Sequence, residues 1–192
     1  MDLKNRSLTL AVGILLLVGV AWAGSISEGS PSSPGGFIVC NSTYALCTGA
    51  PCIAIPGNDQ DVSCGCIIQT EYSVATTMCQ APTVTPQGLQ VISRYFPIRS
   101  YAPCSNSRPW ANCLDSTCIV DPGNSLYATC ACSIEQNQGD YLAVNAEEQY
   151  NSASCTTGVL SSATVTDANA LTKVLKHHPK LRPFPIKVFN PQ

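Results

Sequence analysis

Residues 44–66 read YALCTGAPCIAIPGNDQDVSCGC, and residues 110–132 read WANCLDSTCIVDPGNSLYATCAC. The two stretches align without a gap, and nine of their 23 positions are identical. Internal similarity of this kind indicates one supersecondary unit that the chain uses twice. We therefore expect the two halves to share one topology, with their differences in length confined to loops.

Twelve cysteines extend this similarity over most of the chain. They fall into two groups of six, and a single residue separates the fourth and fifth members of each group. The first group is Cys40, Cys47, Cys52, Cys64, Cys66 and Cys79, and the second is Cys104, Cys113, Cys118, Cys130, Cys132 and Cys155. An even number of cysteines in an exported chain favours disulfides. We predict six disulfides, three within each group and connected alike, in modules over residues 40–82 and 104–160. The pairing within each group stays open.

A Pro-Gly turn divides each repeat. Proline presets φ for the second position of a type II turn and glycine takes the positive φ of the third, so Pro56-Gly57 and Pro122-Gly123 predict such turns. Apolar residues flank both turns, which is typical of a β-hairpin. We expect Cys64 and Cys66 to lie on opposite faces of their strand and to bond to different neighbours. The equivalent C-x-C pair of the second repeat is expected to do the same.

The order of six cysteines, with one residue between the fourth and fifth, resembles that of epidermal-growth-factor-like modules in both repeats. The aromatic-Gly pair of that family is absent between the last two cysteines of the first repeat, because residues 67–78 contain no glycine. The acidic stretch of its calcium-binding members is also absent, since residues 34–39 read PGGFIV. The resemblance implies a small disulfide-stapled topology and no particular binding residues.

These observations predict a small, disulfide-rich, mainly β protein of two tandem six-cysteine hairpin modules with one short C-terminal helix. Residues 83–103 lie between the modules, and their apolar stretch 89–96 predicts a strand that pairs with one of them. Aromatic and arginine side chains are frequent in binding hot spots. Seven of them form a possible binding surface: Arg94, Tyr95, Phe96, Arg99, Tyr101, Arg108 and Trp110. Packing inside a small core is the alternative role for these side chains.

The chain begins with the features of a secretory signal peptide over residues 1–23. A basic start precedes an apolar run over residues 8–20, and a small-x-small sequence ends at Ala23, where we expect cleavage. The apolar run is shorter than the roughly 20 residues that span a bilayer, and no later segment predicts a membrane span. A Ser-, Pro- and Gly-rich spacer follows over residues 24–39. We expect the protein to be secreted or periplasmic.

The C-terminal segment, residues 161–192, combines a predicted helix with a basic tail. Thr166-Asp167 is a candidate helix cap, and Pro179 is expected to end the helix. The apolar residues between them follow helical spacing: Ala168, Leu171, Val174 and Leu175. Residues 173–192 hold five basic side chains and no acid, whereas residues 24–172 hold eleven acids and three arginines. We expect this tail to make a weak contact with an anionic surface, and its removal to leave both modules folded. A solvated tail, or one that folds back on the acidic body, is the alternative.

Composition excludes several classes of function. The formal net charge is −2 and only 11% of the residues are charged, so the chain lacks the positive field of a nucleic-acid-binding protein. Candidate metal sites are weak. The only histidines, His177 and His178, diverge when they are adjacent on a helix, and Asp59 and Asp61 resemble a calcium loop that has no acidic counterpart in the second repeat. We expect no cofactor and no bound metal.

We expect a non-enzymatic interaction or structural protein, whose partner is an unidentified protein or glycan. A proteinase inhibitor is one alternative, in which the loop Thr48-Gly49-Ala50-Pro51 would occupy a protease. A small secreted hydrolase is less well supported, because a catalytic His177 would have to reach from the tail back to the body.

Overall fold

The computed structural model describes most of the chain from residue 36 onward. The described residues are 36–96, 98–104, 108–137, 139–146, 155–156, 158–178, 181 and 187–188. The predicted signal peptide lies outside them, as do most of the spacer and most of the tail beyond residue 178. Strands predominate among the described residues and one helix lies near the C-terminal end, which confirms the mainly β class.

Thirteen strands and one helix are found in the described part of the chain. The strands of the first half are β1 (Ile38–Leu46), β2 (Pro51–Ala54), β3 (Asp61–Ala75), β4 (Thr83–Thr85) and β5 (Gly88–Arg94). Those of the second half are β6 (Ser100–Cys104), β7 (Trp110–Asn112), β8 (Thr117–Val120), β9 (Tyr127–Glu135), β10 (Tyr141–Asn145), β11 (Val159–Leu160), β12 (Ala163–Thr164) and β13 (Lys187–Val188). The helix, α1, is Val165–His177.

Six disulfides join the twelve cysteines, and each lies within one group. In both groups the first cysteine bonds to the sixth, the second to the fifth and the third to the fourth. The bonds are Cys40–Cys79, Cys47–Cys66, Cys52–Cys64, Cys104–Cys155, Cys113–Cys132 and Cys118–Cys130. The prediction of six disulfides, three in each group and connected alike, is confirmed.

Nine strands form the larger sheet, which closes on itself. β3 pairs with β1 and with β9, β5 pairs with β1 in parallel and with β8 antiparallel, and β8 pairs with β9. These five strands therefore make a closed ring of hydrogen-bonded neighbours. Because β3 belongs to the first cysteine group and β9 to the second, the two groups share one sheet and are not separate structural units.

The segment between the groups, residues 83–103, contains part of this ring. The strand predicted over residues 89–96 is β5, which ends at Arg94 and is preceded by β4, its hairpin partner. β5 contacts both groups, since it pairs with β1 of the first and β8 of the second. We expected pairing with one module only.

Each repeat contains the expected hairpin, in which β2 pairs with β3 and β8 pairs with β9. The first turn is type II as predicted, because Gly57 has a φ of 77° and the Asn58 amide donates to the Ile55 carbonyl at 3.0 Å. The second turn differs, since Gly123 does not have a positive φ. The Asp121 carboxylate accepts the Gly123 amide at 2.7 Å, and this local bond, which an isoleucine in the first repeat cannot make, selects the other turn conformation.

Our expectation that the two cysteines of each C-x-C pair lie on opposite faces is wrong. Residues two apart in a strand share a face, and Cys64 and Cys66 are both buried while the intervening Gly65 is exposed. Cys130 and Cys132 follow the same pattern. Each pair still bonds to two different partners, so two disulfides lie side by side under each hairpin.

Strand registers recur 66 residues later in the chain. Tyr44 of β1 lies opposite Gln69 of β3, and Trp110 of β7 lies opposite Glu135 of β9. The hairpin registers have the same relation. Equivalent residues therefore make equivalent backbone contacts, although the strands belong to one sheet.

The pairing of β3 with β9 is centred on equivalent residues, because Cys64 lies directly opposite Cys130. An antiparallel pair centred in this way relates the two repeats by a local two-fold axis. The exchange of strands follows the same relation: β5 of the first half pairs with β8, and β11 of the second half pairs with β2. Each half thus completes the sheet of the other.

A second sheet and the helix pack beside the ring. This sheet has the order β12-β10-β6-β13. Thr164 rather than Thr166-Asp167 begins α1: its hydroxyl accepts the Asp167 amide at 3.0 Å. The helix ends at His177, two residues before Pro179 as predicted, and it is too short to span a membrane.

The apolar face of α1 belongs to the main core of the protein. Ala168, Leu171, Val174 and Leu175 are buried in one cluster with side chains of the ring, and Leu181 beyond the helix joins them. This packing disagrees with our expectation that removal of residues 173–192 leaves the modules folded. The helical spacing predicted the buried face, but it did not identify the surface against which that face packs.

Candidate interaction surface

The seven residues predicted as a binding surface do not form one. Arg94, Tyr95, Phe96 and Trp110 are buried, Arg99 and Tyr101 are half-buried, and Arg108 is exposed. Four of the seven therefore contribute to packing, which was the alternative role.

Tyr95 shows how these side chains are used. Its hydroxyl donates to the Ser162 carbonyl at 2.8 Å, lies 3.0 Å from the Ser161 hydroxyl and accepts the Cys113 amide at 3.0 Å. Burial raises the pKa of Tyr95 to about 12, although its hydrogen bonds with Ser161 and the backbone oppose the shift. The phenol is thus a neutral structural group that ties β5 to the second half.

Arg94 and Asp115 form a buried ion pair that also joins the halves. Arg94 donates to the Asp115 carboxylate and, at 3.0 Å, to the Ser93 carbonyl. The carboxylate accepts the amides of Thr76 and Thr77 at 2.7 and 3.1 Å. Burial lowers the pKa of Arg94 and the charge of Asp115 opposes that shift. Because the surrounding fold supplies these hydrogen-bond partners, the Arg94–Asp115 pair stabilises a buried contact between the two halves.

Four disulfides lie in or against the main core cluster of the protein. The Sγ atoms of Cys47 and Cys130, which belong to different bonds, lie 3.4 Å apart. The sulfurs include two sets of three. Within each set the three sulfurs lie within 4.8 Å of one another, a spacing that also suits a metal ion. Metal binding by cysteine requires thiolates, and all of these sulfurs are engaged in disulfides. The cluster is a covalent core and does not have the donor chemistry of a metal site.

The residues considered for catalysis, inhibition or calcium binding occupy structural positions. The Nδ1 atom of His177 lies 2.7 Å from the Lys173 carbonyl oxygen, one helical turn earlier. The loop Thr48-Gly49-Ala50-Pro51 is not an exposed inhibitory loop, since Thr48 and Ala50 are buried. Asp61 accepts a side-chain hydrogen bond from Asn58 at 3.0 Å, which stabilises the turn.

Eight large apolar side chains of the described residues are exposed, and five of them lie towards one end of the ring. Val84, Leu89, Ile67, Leu126 and Tyr127 are exposed by 84, 41, 48, 64 and 51%. We call these five residues the apolar end. Ile67 and Tyr127 lie directly opposite each other on β3 and β9, and Val84 and Leu89 do so on β4 and β5.

Strand geometry brings these two pairs to the same end of the ring but to opposite faces of the sheet, because Leu89 shares its face with buried Val91 whereas Ile67 and Tyr127 adjoin buried Cys66 and Ala128. β5 begins at Gly88, and a Cβ atom on this glycine would lie 3.2 Å from Cγ2 of Ile119 on β8. β8 ends at Val120, and the following turn leads to Tyr127 at the start of β9. At this end the Leu126 carbonyl accepts the Ile68 amide at 2.9 Å, and this bond links the turn before β9 to β3.

At the opposite end of the β3–β9 pair the equivalent positions are polar, although Ile53 of the neighbouring strand β2, opposite Ser63, is 72% exposed. Gln60, Asp61 and Ser133 occupy the positions equivalent to Leu126, Tyr127 and Ile67, and we call these three residues the polar end. The backbone bond is the same at both ends, since the Ile134 amide donates to the Gln60 carbonyl at 2.8 Å. The fold therefore accepts polar side chains at these positions, and backbone structure does not explain the apolar ones.

Sequence reasoning did not select the apolar end. A position-by-position comparison of the repeats contains the signal, because Ile67 aligns with Ser133, Leu126 with Gln60 and Tyr127 with Asp61. That comparison becomes informative only when the exposure of each position is known.

No family model matches the chain, and neither does any curated protein or solved structure in the comparisons. The resemblance to epidermal-growth-factor-like modules therefore rests on cysteine spacing alone.

Proposed function

We propose that this protein is an exported, non-enzymatic interaction protein that binds a protein partner through the apolar end. The observation that carries the proposal is the contrast between the two ends of the β3–β9 pair. Equivalent backbone positions hold exposed Ile67, Leu126 and Tyr127 at one end and polar residues at the other. Exposed apolar patches of this kind are typical of contact surfaces.

The chemistry of the apolar end favours a protein over a glycan as the partner. Four of its five side chains are aliphatic, and the centre of a protein interface is depleted of charge. One acidic residue adjoins this end, since the Asp121 amide donates to the Tyr127 carbonyl at 2.9 Å. Asp61 belongs to the polar end and does not contribute here. The partner is therefore an apolar protein surface with a basic residue at its rim.

Disulfide content supports the proposed location. Six disulfides are typical of the oxidising compartments, outside the cell or in the periplasm. Together with the predicted signal peptide over residues 1–23, they favour a secreted or periplasmic protein. We also propose that the repeats arose as two copies of one unit, each of which uses strands of the other.

The basic face of α1 offers a second, weaker contact. Lys173 and Lys176 are exposed on the helix. An anionic glycan or envelope surface is the matching partner, and the attraction would fall with salt as the Debye length shortens.

The proposal is tested by photo-cross-linking in the native compartment. A benzoyl-phenylalanine placed at Leu126 should give one discrete adduct, and the same probe at Gln60, the equivalent residue of the polar end, should not. An adduct of twice the chain mass would identify a second copy as the partner and would contradict a heterologous complex. Equal labelling from both positions would overturn the proposed surface.

The matched variant copies the polar end onto the apolar one. The substitutions Ile67→Ser, Leu126→Gln and Tyr127→Asp place residues that the chain already accommodates in the equivalent backbone positions. We expect a folded protein with six disulfides that no longer forms the adduct from a probe at Leu89. Undiminished adduct formation by this variant would refute the role of the apolar end.

A further inference from the structure

The disulfides of the two halves are close enough to exchange. The Sγ atoms of Cys52, Cys64 and Cys113 lie within 4.8 Å of one another, although Cys113 is bonded to Cys132 of its own half. Disulfide exchange proceeds by attack of a thiolate on a neighbouring disulfide sulfur. A thiolate formed at Cys64 would therefore have a disulfide of the other half beside it.

Cys52 is the least buried cysteine of this chain of contacts. Cys52 is half-buried, whereas Cys64, Cys113 and its own equivalent, Cys118, have no exposed surface. The difference follows from the strand that covers each cysteine. Cys118 lies beside β5, which has seven residues, and Cys52 lies beside β11, which has two.

From this arrangement we infer that the protein contains a thiol-disulfide exchange path that runs from Cys52 through Cys64 to Cys113. Its product is a new disulfide between the two halves, Cys64–Cys113. This path is independent of the proposed binding function, because no residue of the apolar end takes part in it.

The steps balance with one small dithiol as the reductant. A thiolate of the dithiol attacks the Cys52 sulfur, forms a mixed disulfide and expels the Cys64 thiolate. The Cys64 thiolate attacks the Cys113 sulfur, forms Cys64–Cys113 and expels the Cys132 thiolate, which takes up a proton. The second thiol of the reductant, as its thiolate, then displaces Cys52, whose thiolate is also protonated. The dithiol becomes a cyclic disulfide, and the chain keeps five disulfides with thiols at Cys52 and Cys132.

The test uses the full oxidised chain and limiting dithiothreitol. The reaction is quenched with acid, free thiols are alkylated, and unreduced peptides are mapped by mass spectrometry. We expect two alkyl labels in each singly reduced chain, on Cys52 and Cys132, together with a peptide pair linked by Cys64–Cys113. Labels on Cys52 and Cys64 with an intact Cys113–Cys132 bond would overturn the inference.

Two comparisons separate exchange in the folded protein from scrambling. The same treatment in denaturant unfolds the chain, and a Cys64–Cys113 link found only there would also overturn the inference. The equivalent bond, Cys118–Cys130, serves as the internal control because Cys118 is covered. First labelling at Cys118 rather than Cys52 would contradict the assigned order of attack.

Discussion

At the scale of single residues, Asp115 shows how a charged side chain holds an unfavourable backbone conformation. Its φ is 62°, and the equivalent residue of the first repeat is Gly49, whose φ is 69°. Glycine adopts this region at little cost, whereas other residues are uncommon there. The carboxylate of Asp115 is the partner of buried Arg94. The ion pair therefore explains why this turn does not carry glycine in both repeats.

We expect Asp115→Gly to destabilise the protein, although glycine adopts the positive φ of this position at lower cost than aspartate. The substitution leaves Arg94 as an unpaired buried charge, a change that typically costs about 3–5 kcal/mol. Denaturant unfolding of the oxidised protein measures the loss. The double variant Arg94→Met with Asp115→Gly removes the orphaned charge and should recover part of the stability. A single variant as stable as the wild type would show that the pair contributes nothing.

The raised pKa of buried Tyr95 predicts a loss of stability at alkaline pH. Burial raises its pKa to about 12, above the ordinary value of 10. The folded state therefore holds this proton more tightly than the unfolded state, and the resulting stability is fully present below pH 10 and is lost as the pH rises towards 12. Burial raises the pKa of Tyr44 in the same direction. Thermal unfolding as a function of pH, with tyrosine ionisation followed by absorbance, measures the effect.

Tyr95→Phe is the matched control for this titration. It removes the ionising group and the acceptor of the Cys113 amide, so we expect lower stability at neutral pH but a weaker dependence on pH between 10 and 12. An unchanged alkaline dependence would assign the effect to other groups.

At the scale of elements, α1 was predictable from sequence but its role was not. Helical spacing identified Leu171, Val174 and Leu175 as the apolar face, and all three are buried. Sequence alone cannot say which surface such a face covers, because that contact joins residues far apart in the chain. The same limit applies to β5, whose composition predicted a strand but not its pairing with both halves.

We expect Leu171→Ala to lower the free energy of unfolding by about 2–5 kcal/mol, the usual range for a buried leucine. Chemical denaturation measures the change. The matched control is Lys173→Gln with Lys176→Gln on the exposed face of the same helix, which should leave stability nearly unchanged while reducing retention on an anionic glycan at low salt. A Leu171→Ala variant of wild-type stability would place the helix outside the core.

At the scale of the whole molecule, the cysteine spacing predicted the covalent framework and missed the architecture. Each disulfide joins two cysteines of the same group, so the repeat in the sequence predicts that both groups are connected alike. The pairing of β3 with β9 depends on packing between distant segments, and no local motif encodes it. The proposed binding surface was not predicted for a related reason: arginine and aromatic content identified Arg94, Tyr95 and Trp110, which are buried.

Hydrogen exchange at two amides tests most directly whether the halves form one interlocked sheet. The Ile68 amide donates to Leu126 and the Ile134 amide donates to Gln60, so both bonds cross between the halves. In the oxidised protein we expect both amides to exchange only through global unfolding, with the same free energy as the amides that join β1 to β3. Rapid exchange at Ile68 and Ile134 while β1 stays protected would contradict the account and would show two separate modules.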